Sequence, residues 1–130
     1  MKSIKTAGLC LLLILSSGVT MADEFDQVVL YLGSGNATNI NNFFTRQTEI
    51  EFPDGKVVRS NPVLLEDALQ KFMDENVPDN VKIIHRGPNG SRSFVIILYK
   101  STNGKEFRVT LFMEGYDQHK TIKELKFENS

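Results

Sequence analysis

The chain has 130 residues, 41% of them apolar, with 15 Lys and Arg against 16 Asp and Glu, one Cys and no Trp. Such a length holds one domain, or at most one domain plus a targeting segment, and the near-neutral balance excludes a protein held on a polyanion by bulk charge, so no nucleic-acid partner is expected. A single cysteine excludes an internal disulfide framework and any multi-cysteine zinc site.

Residues 1–22 read as a secretory signal peptide. Lys2 and Lys5 supply its positive start, residues 8–15 its apolar core, and Thr20 and Ala22 the small side chains that suit cleavage before Asp23. The apolar run falls short of the roughly 20 residues that cross a bilayer, so cleavage is expected in preference to a retained anchor. Leu9 is too large for the position before a lipidated cysteine and the apolar run continues past Cys10, which therefore reads as one more hydrophobe of the leader. Removing Lys2 and Lys5 leaves 13 basic residues against 16 acidic ones in the expected mature chain, 23–130, a net charge of −3 with no cysteine. The expected destination is the periplasm or the extracellular space, with no membrane contact after cleavage. A small exported domain without disulfides must be held by its core alone.

The mature sequence alternates between two hydrophobic periods. Phe25, Val28, Val29 and Leu32 recur at helical spacing, and Gly33-Ser34-Gly35 ends that helix. Asn36 caps a second short helix carrying Ala37, Ile40, Phe43 and Phe44. Thr48, Ile50 and Phe52 then alternate with Glu49 and Glu51, the period of a half-buried strand whose acids face outward. Pro53-Asp54-Gly55 is turn chemistry, and 56–59 returns as a partner strand. The third helix is the clearest: Ser60 or Asn61 caps it, Pro62 sits in its first turn, and Leu65, Ala68, Leu69, Phe72 and Met73 form one apolar stripe. Asn76 and Pro78 stop it.

Four strands follow, at 81–86, 93–100, 106–113 and 121–127. Asn103-Gly104 predicts a two-residue type I′ hairpin. That register sets Leu98 opposite Val109, Ile96 opposite Leu111 and Phe94 opposite Met113, an apolar face expected to meet the helices. The other face then pairs Tyr99 with Arg108, Ile97 with Thr110 and Val95 with Phe112. Leaving side chains such as Val95, Ile97 and Phe112 in water forfeits about 1.5–3 kcal/mol each. Val95, Ile97, Tyr99, Arg108 and Phe112 are accordingly the candidate interface, covered by a homodimer packed sheet to sheet or by curvature and long side-chain stems within one subunit.

The order helix, helix, strand, strand, long helix, four strands resembles the nuclear transport factor 2-like fold, an α+β cone in which a curved antiparallel sheet wraps a long helix. The Gly35-Asn36 junction, Ile40, Phe44 and the strand from Thr48 to Phe52 are similar to the usual opening of that superfamily. More closely, Asn80-Val81-Lys82-Ile83-Ile84-His85-Arg86-Gly87, Ser101-Thr102-Asn103-Gly104-Lys105 and Lys123-Glu124-Leu125-Lys126-Phe127-Glu128 resemble a secreted Bacteroidetes-type family, domain of unknown function 4783. The superfamily resemblance implies a single domain at 23–130 and a hollow bordered by strand ends and helices. It does not choose among isomerases, dehydratases, epoxide hydrolases, adaptors and inert binding modules, and the closer family lends no activity.

Nucleotide-binding and hydrolase motifs are missing from the sequence, and no cofactor is expected. His119 sits in a charged turn beside Asp117 and Lys120, so a site in which it joins His85 around a metal is not expected. His85 keeps step with Val81 and Ile83 and is expected on the core side near a strand end, either hydrogen-bonded there or able to move a proton. His85, Tyr31 and Phe72 are the candidate pocket residues. The apolar face carries no acid, and no carboxylate pair sits in an apolar setting that would drive one pKa up. The expected function is a non-catalytic binding domain for a small hydrophobic ligand or a partner. The alternative is a small enzyme doing proton transfer or hydration on an apolar substrate, with His85 as base and Tyr31 as helper. Asn36-Ala37-Thr38 and Asn89-Gly90-Ser91 fit the glycosylation pattern, and in the bacterial chain that the resemblance implies neither is expected to be used.

Overall fold

The computed structural model describes residues 23–87, 92–116 and 119–130, with the Arg92 side chain outside that set. The expected leader and its cleavage site, and the second glycosylation pattern, lie outside the described residues. Among the described residues, three α-helices and six strands follow in the order α1 (Glu24–Ser34), α2 (Ala37–Ile40), a 3-10 turn (Asn41–Phe43), β1 (Glu49–Glu51), β2 (Val57–Arg59), α3 (Pro62–Glu75), β3 (Pro78–Arg86), β4 (Arg92–Ser101), β5 (Glu106–Glu114) and β6 (Thr121–Asn129). No described helix is long and apolar enough to cross a membrane.

Local chemistry sets the helix ends. Asp23 and Asp26 form a reciprocal capping box at the start of α1, the Asp23 carboxylate accepting from the Asp26 N–H at 2.9 Å. Asn36 caps α2, and Asn61 caps α3 by accepting from Val63 and Leu64 with Pro62 in the first turn. Gln70 ties the two helices together: its Oε1 accepts from the Ala37 N–H and its Nε2 donates to the Gly35 carbonyl, both at 3.0 Å. Arg86 anchors α1 to β3 through Asp26 at 2.7 Å and Asp23 at 3.5 Å.

The strands form one curved sheet in the order β2-β1-β6-β5-β4-β3. All neighbours are antiparallel except β1 and β6, which run parallel with Ile50 opposite Leu125. Thr48, buried at the start of that junction, donates its hydroxyl to the Ile122 carbonyl and accepts from the Thr45 N–H. The helices fill the concave side. Val28 and Leu32 of α1, Ile40, and Leu65, Leu69, Phe72 and Met73 of α3 meet Ile50, Val95, Ile97, Tyr99, Phe107, Val109, Leu111, Met113, Ile122, Leu125 and Phe127 of the sheet. The buried polar residues are Thr48, Asn76, Ser93 and Ser101, and none of the described acids or histidines is buried.

The β4–β5 hairpin departs from its expected register by one residue. Lys100 pairs with Glu106, Leu98 with Arg108 and Ile96 with Thr110, so the loop is Thr102-Asn103-Gly104. Gly104 alone among these residues takes positive φ, at 89°, and its N–H donates to the Ser101 carbonyl. That is a turn followed by a left-handed glycine, the three-residue alternative to a type I′ loop. One extra loop residue turns β4 over. Val95, Ile97 and Tyr99 therefore lie in the core, at most 1% exposed, and are not an interface. Tyr99 stands opposite Phe107, not Arg108. Phe94, Ile96 and Leu98, expected inside, lie half-buried on the convex face with Phe112, while Arg108 is exposed there.

Candidate functional site

Three segments remote in sequence, with Asn129 at the end of β6, border a cleft of about 350 Å³ at one end of the cone. The first is α3, whose apolar stripe carries Phe72 inward and leaves Ala68, Lys71 and Glu75 along the opening. The second is the turn between β1 and β2. There the Phe52 N–H donates to the Lys56 carbonyl, the Gly55 N–H to the Phe52 carbonyl and the Lys56 N–H to the Asp54 carboxylate, each at 2.9 Å. The third is the β4–β5 hairpin, which contributes Lys105 and Phe107.

The hairpin is fixed to the end of α3. The Asn103 side-chain amide donates to Asn76 Oδ1 at 3.0 Å and to the Glu75 carbonyl at 3.2 Å, while the Thr102 N–H donates to the Val77 carbonyl at 2.7 Å. The buried Tyr99 hydroxyl donates to the Asn76 carbonyl at 2.5 Å. Burial pushes the Tyr99 pKa well above its ordinary value of 10.0.

The cleft floor is aromatic. The Phe72 ring centre lies 4.6 Å from Phe127, 5.1 Å from Phe107, 5.6 Å from Phe52 and 6.0 Å from Tyr99, with tilted or edge-on planes. Such offsets suit the ring quadrupoles. The lip is charged: Lys56, Lys71 and Lys105 face Asp54 and Glu75, with Asn76 and Asn129 as neutral polar groups. A greasy floor with a few polar groups at its edge is the usual make-up of a small-molecule site, and the volume falls at the low end of the usual range, about 300–1,000 Å³.

A second, flatter hollow of about 460 Å³ runs between α1 and β3, lined by Asp26, Val29, Leu30, Gly33, Ser34 and Val81. Partial burial pushes the Asp26 carboxyl up, but hydrogen bonds from Arg86 and from the Asp23 N–H outweigh it. The net pKa lies below the ordinary 3.8.

The three candidate pocket residues do not meet at one cavity. Phe72 lines the cleft. Tyr31 packs half-buried against the core from α1. His85 is exposed, because β3 carries a bulge between Ile83 and His85: Ile83 pairs with Ile97, then His85 pairs with Ile96. The extra residue, Ile84, reverses the alternation and turns the histidine to the convex face, where its ring centre lies 6.0 Å from Phe94. His85 therefore lines neither hollow. Among the described residues, no cluster of three or more His, Cys, Asp or Glu could hold a metal ion. The sequence reading missed Phe52, Lys56, Lys71, Phe107 and Lys105 as a group. The two glycine turns that deliver most of them were visible, but not that they meet across α3.

A curved sheet closed over a long helix places the chain in the nuclear transport factor 2-like class of α+β folds. It aligns with an NTF-2 like protein of unknown function from Silicibacter pomeroyi at a TM-score of 0.60 and 10% identity, covering 82% of this chain and 89% of that one. The sequence profile described as "Domain of unknown function (DUF4783)" matches residues 25–128, and the chain belongs to that family. A family structure from Bacteroides ovatus is similar at a TM-score of 0.71 and 21% identity over 79% of this chain and 92% of that one. Another from Bacteroides fragilis gives 0.69 and 18% over 86% and 99%. None of the curated proteins matches the chain.

Proposed function

We propose that the protein is an exported, non-catalytic binding domain that takes a small, largely apolar ligand in the cleft between α3 and the two glycine turns. The observation that carries this reading is the division of the cone. Its centre is filled by packed side chains, and the opening with an aromatic floor and a polar lip lies at its end. Proton-transfer chemistry by His85 would need the ring within hydrogen-bond reach of a bound substrate, and its place on the convex face argues for binding over that alternative. The test is native mass spectrometry of the protein purified from its own host, beside Ala68→Phe, which puts a ring into the cleft. The reading expects a bound small molecule on the wild type and none on the variant. Retention of the same mass by Ala68→Phe, or a bare wild-type protein, contradicts it.

A second copy of the chain is the partner this reading favours, seated on the convex face. Phe94, Ile96, Leu98 and Phe112 lie there together half-buried, with Ile84 54% exposed beside them. Contiguous apolar area of this kind is costly to leave in water. The face differs from the expected one in residues, since β4 presents its other side.

A further inference from the structure

We propose that the cleft selects an acidic ligand, a flat apolar body bearing a carboxylate or similar anionic group. The inference rests on the reading of the cleft as the binding site and goes further, to the class of molecule bound. Lys56, Lys71 and Lys105 reach the lip from three different elements. Among the described residues none of the three forms an ion pair with an acid, whereas Arg59 and Arg86 elsewhere do. Of the two acids at the lip, Asp54 already accepts the Lys56 N–H within its own turn. Three lysines against two acids give the lip a formal charge of +1 on a chain whose formal net charge is −1, so the positive lip is a local feature and not a share of general basicity. Below them lie the tilted, mutually packed rings of Phe52, Phe72 and Phe107, 3–8% exposed, an apolar floor for a flat body. An anion over that floor meets three lysines against the two lip acids, Asp54 and Glu75, next to low-dielectric walls that strengthen the net attraction.

The test titrates the isotope-labelled full chain with three probes of one shape: 2-naphthoate, neutral 2-naphthylmethanol and cationic 2-naphthylmethylammonium. Amide shifts report where each binds. The proposal expects 2-naphthoate to move amides 52–56, 71–76 and 105–107 and to bind about tenfold more tightly than the neutral probe, an advantage that shrinks with added salt. The double substitution Lys71→Gln with Lys105→Gln, both at exposed positions, removes most of that advantage and leaves the neutral probe unaffected. Equal binding of the anionic and neutral probes at the cleft, or tighter binding of the cation, overturns the acidic-ligand inference while sparing the site. Failure of all three probes to move cleft amides overturns the site itself.

Discussion

Removing the Tyr99 hydroxyl tests the inward face of β4. Tyr99 is fully buried, and its hydroxyl donates to the Asn76 carbonyl at 2.5 Å. Tyr99→Phe keeps the ring, its edge-on neighbours Phe107 and Phe127, and the packing volume. It leaves a buried carbonyl without this donor. Losing one partner of a buried hydrogen bond costs about 1–3 kcal/mol. Across a domain of this size that lowers the melting temperature by roughly 5–15 °C. Had Tyr99 faced solvent opposite Arg108, the cost would stay within about 0.5 kcal/mol. Urea denaturation followed by circular dichroism measures the difference. Alkaline pH supplies a second readout, because burial raises the folded pKa of Tyr99 above 10.0. Its contribution is complete below the unfolded value and declines as pH rises beyond it. The wild type should therefore lose stability above about pH 10 more steeply than Tyr99→Phe. A midpoint shift worth less than about 0.5 kcal/mol, with parallel alkaline profiles, refutes the inward placement.

Three further outcomes follow from the same geometry. Gly104→Ala should destabilise the protein by about 1–2 kcal/mol, because alanine resists the φ of 89° that the loop requires; an unchanged urea midpoint would show that the hairpin turns differently. Arg86→Gln should lower stability at pH 7 by under about 1 kcal/mol, as befits a half-exposed ion pair. Since the Asp26 pKa is depressed, that loss should fade as pH falls below 3.8 and the carboxylate protonates, whereas a gap constant with pH in thermal melts would deny the pair its role. Ile96→Lys, placing a charge on the convex face, should convert a wild-type dimer to monomer in sedimentation at micromolar concentration; identical masses for the two proteins would remove that face as a subunit interface.

Much of the fold was legible because its signals are local. The Asn61 cap, Pro62 and the stripe from Leu65 to Met73 define α3 without reference to any other element, and the structure gives Pro62–Glu75. The acids of β1 face outward as their alternation requires, Glu49 meeting Arg59 at 3.5 Å. The phase of β4 was not legible. Phe94, Val95, Ile96, Ile97 and Leu98 are apolar in both parities, so the pattern cannot say which set faces the helices. The choice then falls to the turn, and Thr102-Asn103-Gly104 suits a loop of two residues or three, each with a left-handed glycine. His85 was misplaced for a related reason: the bulge at Ile84 interrupts a strand whose alternation was read straight through. The parallel β1–β6 pairing joins segments more than 70 residues apart and has no local signature. The cleft lies beyond sequence reasoning in the same way. Lys71 reads as a solvated helix face, Lys56 as the start of a returning strand and Lys105 as the residue after a hairpin turn, and only the docking of Asn103 on the end of α3 brings them around one floor.

A crystal of the protein soaked with 2-naphthoate decides most directly whether the cleft is where this domain does its work. The account predicts the naphthalene ring over Phe72, between Pro53 and Phe107, with its carboxylate toward Lys56, Lys71 and Lys105. Density for the probe in the groove beside Val29 and Leu30, or against His85 on the convex face, with the cleft left vacant, would contradict it.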